Sequence, residues 1–113
     1  VNLGYRIPVV LRTAEELDEA IRGNPFIAAG VPEKMLHVYF LASLPDTRAV
    51  ATLDVSRSLP DKFQVCGRSI YVELPNGMAR TKLTNAYFDS KLATTSTARN
   101  WKTVIQLHEL MKG

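Results

Sequence analysis

The sequence predicts an α+β fold, a plait-like two-layer α/β sandwich on a four-stranded mixed sheet, and three observations lead there. Strand-like and helix-like periodicities alternate along the chain in the order β-α-β-α-β-β-α-α. Two of the strands are joined by a two-residue turn with glycine at its first position. The 113 residues, 46% of them hydrophobic, suffice for one core and not for two, so residues 1–113 read as a single domain.

The elements follow in order. Tyr5 to Arg12, "YRIPVVLR", is β-branched and alternates, with Ile7, Val9 and Leu11 on one face; Pro8 lacks a donor and places it at an edge. "TAEE" is a capping box, Thr13 at the N-cap and Glu16 three residues on, opening a helix that turns Leu17, Ala20 and Ile21 inward and stops near "GNP". "MLHVYFLA" is apolar on both faces, the pattern of a central strand covered twice. Asp46 caps a short helix with Val50 and Leu53 inward. "FQVCGRSIYVEL" is a hairpin about Gly67 and Arg68 that puts Ile70, Val72 and Leu74 on one face, and Pro75 to Gly77 form the next turn. Two helices complete the chain, Lys82 to Leu92 and Ala98 to Met111; the second carries Trp101, Val104, Ile105, Leu107, His108 and Met111 as one stripe.

Composition bounds function. No apolar run is long enough to cross a bilayer, and the N-terminus has neither a basic segment nor a small-residue cleavage site, so a soluble, cytoplasmic protein without a membrane partner is expected. A single cysteine, Cys66, makes no internal disulfide and suits a reducing compartment. The net charge of +3 is uneven: residues 1–66 carry seven basic and eight acidic side chains, residues 67–113 seven and three. The basic excess is C-terminal, where it attracts phosphates or an acidic protein face, or simply forms a solvated surface.

Several stretches together carry a resemblance: "IPVVLRTAEEL", "NPF", "LHVYFLA", "LPNGMARTKLTNAYFDSKL" and "TARNWKTVIQL". With them the chain resembles, over nearly its whole length, the C-terminal half of the bacterial domain-of-unknown-function family 1697. The most specific pieces are "RTKLTN", Arg80 to Asn85, and Thr97 to Thr103. The resemblance implies a pair of small plait-like domains joined through Tyr5 to Arg12, with the N-terminal domain of the same protein as a partner. It implies no catalytic residue and no cofactor. An edge strand at Tyr5 to Arg12 could pair with that domain or with a second copy, which makes the fragment a monomer or a weak dimer.

Catalytic and metal motifs are scarce. His37 and His108 stand alone in apolar surroundings, Cys66 has no histidine at a motif spacing, and no set of His, Asp or Glu has metal-ligand spacing; no phosphate-binding glycine loop is present. The remaining signal is basic. Arg80 and Lys82 flank Thr81, read as one helix cap, and Arg99 follows Thr97, read as the next, although a helix start carries partial positive charge and favours acids. Two readings result. Arg80, Lys82, Asn85, Arg99, Asn100 and Trp101 form an anion or phosphate site, or the arginines pair with carboxylates such as Glu73 or Asp89. Trp101 likewise is a core anchor or a stacking surface for a nucleic-acid base, with Tyr39 and Tyr71 as further platform candidates. The function expected is a non-catalytic binding module for a phosphate-bearing small molecule, nucleic acid or an acidic partner. The alternative is half of a small enzyme with its site in the cleft to the N-terminal domain, using Lys82, Arg99 and His37.

Overall fold

A computed structural model describes residues 12–112 of the chain. It contains the helices α1 (Ala14–Arg22), α2 (Pro25–Ala28), α3 (Thr47–Ala51), α4 (Asn85–Leu92) and α5 (Trp101–Lys112), and the strands β1 (Leu36–Leu41), β2 (Lys62–Cys66), β3 (Ser69–Glu73) and β4 (Ser96–Asn100). The strands form one sheet in the order β2-β3-β1-β4, with every pairing antiparallel. The α+β class and the four-stranded sheet are as the sequence implied, but the sheet is antiparallel throughout rather than mixed. Its fourth strand is Ser96–Asn100, whose last three residues the sequence pattern assigns to the final helix and whose Thr97 it reads as that helix's cap. The strand expected at Tyr5 to Arg12 lies outside the described residues except for Arg12, which is not in a strand.

β1 is central because both its faces are apolar. His37 pairs with Val72 of β3 and Asn100 of β4, and Leu41 reaches Ser96. On one face Leu36, Val38 and Phe40, with Tyr71 of β3, pack beneath Leu17 and Ala20 of α1 and Trp101 and Val104 of α5. On the other face Tyr39, Leu41, Ile70 and Val72 lie beneath Phe88 and Leu92 of α4, closed by Leu53, Leu74 and Leu83. Phe88 sits edge-on to Tyr39 and Phe63, with ring centroids 5.3 and 5.5 Å away, the geometry that aromatic quadrupoles favour. α1 and α5 cover one face of the sheet, and the shorter α3 and α4 cover the other.

Local chemistry explains most boundaries. Thr13 and Glu16 form the capping box of α1, with Glu16 Nα to Thr13 Oγ1 at 3.1 Å and Thr13 Nα to Glu16 Oε1 at 2.8 Å. Asp46 caps α3, its Oδ1 accepting from Arg48 N–H at 2.8 Å, while Val50 and the following Leu53 turn toward the core. The β2–β3 turn has left-handed φ at Gly67, 58°, where a side chain would be strained. The last two helices start later than their sequence pattern implied. α4 opens at Asn85, not Lys82, because Thr84 and not Thr81 accepts from the third amide, Tyr87 N–H, at 3.1 Å. Thr81 instead accepts from Leu83 N–H within the preceding loop. α5 opens at Trp101, not Ala98, and Asn100 replaces Thr97 as its cap by accepting from Thr103 N–H at 2.8 Å. Of the expected stripe on α5, Trp101 and Val104 are buried, Ile105 and Leu107 pack at the core margin, and Met111 is exposed.

Candidate functional site

The start of α5 is where chain order brings polar groups together. β4 delivers Asn100 directly into the helix cap, so the first turn of α5, with Trp101 and Lys102, begins at the end of the sheet. β1 enters there with His37, opposite Asn100 in register, and the 3₁₀ turn Glu33–Met35 precedes it with Glu33 and Lys34. These six residues, Glu33, Lys34, His37, Asn100, Trp101 and Lys102, line a cleft of about 580 Å³. That size lies within the ordinary range of small-ligand sites.

The electrostatics of the cleft are positive. Lys34 and Lys102 are exposed, and Glu33 is the single carboxylate among the lining residues. The first turn of α5 contains no acid, so the partial positive charge of the helix start is not offset within the helix. Asn100 uses Oδ1 as the cap and keeps its Nδ2 donors. His37 is half-buried, and its Nδ1 is sealed from solvent without a hydrogen-bond partner. Burial pushes the His37 pKa down, while the Met35 carbonyl acts in the opposite direction. His37 is accordingly neutral at pH 7, and the cleft's full positive charges are those of the two lysines.

The six residues singled out in the sequence separate into distinct environments. Asn100 and Trp101 line the cleft. Arg99 lies on β4 opposite Val38, half-buried, and donates through Nη1 to the Ala98 carbonyl at 2.8 Å. Arg80 is exposed at the end of the 3₁₀ turn Met78–Arg80. Lys82 is exposed in the following loop, where its N–H donates to Ser58 Oγ and its carbonyl accepts from Arg57 Nε. Asn85 ties α4 to β4 by donating through Nδ2 to the Ser96 carbonyl at 3.2 Å and to Ser96 Oγ at 2.8 Å; Ser96 Oγ in turn donates to Asp89 at 2.6 Å. Asn85 is thus half-buried and occupied by structure. No lining of the cleft includes Arg80, Lys82, Asn85 or Arg99.

The pairing of Arg80 or Arg99 with Glu73 or Asp89 is not found: the ion pairs among the described residues are Arg22–Asp18, Arg68–Glu16 and His108–Asp18. The aromatic platform also fails. Trp101 is 2% exposed, Tyr39 fully buried and Tyr71 3% exposed, and each tyrosine hydroxyl donates to a carbonyl, Leu83 and Ala20 respectively. Trp101 is the core anchor, and it also lines the cleft. Lys34 and Lys102 were not singled out in the sequence. A signal for Lys102 was available, because Asn100 is a strong cap former immediately before the apolar stripe and places Lys102 in the first turn.

Fold and site define a small α+β domain with a basic cleft at the start of its last helix. The chain belongs to the family described as protein of unknown function (DUF1697), whose model matches residues 1–71. The match takes in α1, β1 and the hairpin as far as Tyr71, and ends before "RTKLTN" and Thr97 to Thr103. No curated protein and no solved structure matches the chain. Among the described residues no helix is long and apolar enough to cross a membrane, and no group of three or more His, Cys, Asp or Glu is placed to hold a metal ion.

Proposed function

We propose that this is a non-catalytic binding domain that takes a phosphate-bearing small ligand at the start of α5. The observation that carries the reading is the cleft itself: two lysines, a helix start without an acid and a free amide donor converge on a space of about 580 Å³. Lysine is a point-charge phosphate binder, and helix-start amides supply directed donors. Glu33 on the rim is an acceptor for a hydroxyl of the same ligand, which disfavours a bare polyanion and suits a phosphorylated small molecule. A nucleic-acid base reader fits less well, since Trp101, Tyr39 and Tyr71 offer no open ring face. The β-α-β-β-α-β order from β1 to β4 is that of the ferredoxin-like plait, and we read the domain as one whose usual open sheet face is covered by α1 and α5.

The test is equilibrium dialysis of the protein against inorganic phosphate and a phosphorylated sugar at low and moderate salt. Saturable binding that weakens with salt and is lost in Lys34→Ala/Lys102→Ala is the expected result. Binding unchanged in the double variant would remove the cleft from consideration.

A further inference from the structure

A second cavity, of about 340 Å³, lies at the other end of β1, between α1 and the β2–β3 hairpin. Its charges are separated along α1. At one end stand Arg12, Glu16 and Arg68; at the other Glu19, with Gly23 and Tyr71 between the helix and the sheet. We propose that this cavity binds a small zwitterion, its carboxylate on the Arg12–Arg68 end and its ammonium on the Glu19 end.

The arginine end is held ready for a carboxylate. Arg12 Nη2 donates to the Leu41 and Arg68 carbonyls at 2.8 and 2.9 Å, and its guanidinium lies 5.2 Å from the Phe40 ring centroid, so its position is fixed by backbone and ring. Arg68 meets only loose acceptors: Glu16 Oε2 at 3.6 Å from Nη1 and the Ala42 carbonyl at 3.4 Å from Nη2. The first distance exceeds that of a hydrogen bond. Glu16 cannot close on Arg68 freely, because its Oε1 is engaged by Thr13 N–H in the capping box. Arg68 Nε is sealed from solvent, so an incoming carboxylate meets this arginine end-on, through Nη1 and Nη2. Arg12 and Arg68 stand together with Glu16 at this end, and the charge of Arg68 contributes, after burial, to lowering the pKa of Arg12.

The opposite end suits a cation. Glu19 lies three residues beyond Glu16, about 4.5 Å along the helix axis, and is exposed and in no ion pair among the described residues. Tyr71 Oη donates its proton to the Ala20 carbonyl at 2.7 Å, which leaves the oxygen only acceptor capacity toward the cavity. Glu19 and Tyr71 both line the cavity, and a carboxylate and an acceptor oxygen suit an ammonium and not an anion. Gly23 keeps the space open, since a Cβ there would come within 3.1 Å of the Glu19 carbonyl and 3.3 Å of Tyr71 Oη. A simple anion would leave the acidic end unused, and a simple cation the basic end.

The experiment is a titration of the full ¹⁵N-labelled chain with β-alanine, acetate and methylammonium, following the amides of Gly23, Gly67 and Ser69. The expected result is saturable shifts with β-alanine at an affinity about tenfold or more above either single-charge probe. Glu19→Gln, a change at an exposed position, should weaken β-alanine about tenfold and leave acetate unchanged; Arg68→Gln should weaken both. Acetate or methylammonium binding as tightly as β-alanine, indifference of β-alanine to Glu19→Gln, or absence of shifts up to about 0.1 M would each overturn the proposal.

Discussion

Lys102→Glu should make the protein more stable and a worse binder of anions, and the two effects have one electrostatic cause. Lys102 is exposed in the first turn of α5, where no acid offsets the helix start. A favourable charge near a helix terminus contributes about 0.3–1 kcal/mol at low ionic strength, and reversal both removes an unfavourable charge and adds a favourable one. Glu33, which lines the same cleft, would repel the new carboxylate, which reduces the gain to about 1 kcal/mol. For a domain of this size that corresponds to a rise in Tm of roughly 4 °C at low salt. The ligand sees the reverse. At about 5 Å in a water-like dielectric each pair of unit charges interacts by about 0.8 kcal/mol, so reversal changes the energy by about 1.6 kcal/mol per anionic charge, or roughly tenfold in Kd. Thermal unfolding by circular dichroism and phosphate dialysis on the same samples, at low and high salt, read both effects. A lower Tm, or unchanged phosphate affinity, would refute the electrostatic picture of the cleft.

Three other outcomes follow from the packing and titration of the fold. Asn85→Ala leaves Ser96 without its amide partner and should cost about 1–3 kcal/mol in urea unfolding, with the m-value unchanged. Ala93 ends α4 with a left-handed φ of 51°, so Ala93→Gly should stabilise by about 0.5–1 kcal/mol in the same assay. The lowered folded-state pKa of His37 means that the unfolded chain takes up its proton first as pH falls. This contribution to stability is therefore present above the unfolded value near 6.5 and is lost as pH drops below it toward the folded value. His37→Gln should flatten that slope in pH-dependent denaturation.

The parts legible in the sequence were those fixed by local chemistry or by dense apolar patterning. The capping box at Thr13 and Glu16, the cap at Asp46, the glycine of the β2–β3 turn and the two apolar faces of β1 each leave a mark within a few residues, and each is present in the fold. β4 leaves none. Its residues, "STARN", contain one core-facing apolar side chain, Ala98, and its strand character comes from backbone pairing with β1 some 60 residues earlier in the chain. The stripe that begins at Trp101 extends easily backward over such a neutral segment, and the helix was read three residues too long. The same ambiguity arose at Thr81 and Thr84, two hydroxyls three residues apart, either of which can cap; the tertiary loop that ties Lys82 to Ser58 and Arg57 decides between them.

The shift of those two helix starts also changes which basic residues stand in a first turn. Moving the caps to Thr84 and Asn100 leaves Arg80, Lys82 and Arg99 outside any first turn and brings Lys102 into one. Lys34 and His37 join Lys102 only through the β1–β4 register, which no local pattern encodes. The idea of basic residues at a helix start holds for one helix rather than two, and with different side chains.

The central claim is tested most directly by titrating the labelled protein with inorganic phosphate at low salt while following the Trp101, Lys102 and Thr103 amides and the His37 ring. The account predicts saturable shifts confined to these groups, reversed by salt, with the His37 pKa rising when the anion is bound, because a nearby negative charge favours the imidazolium. Shifts centred instead on Arg80 and Lys82, or spread evenly over the basic surface with His37 unmoved, would contradict it.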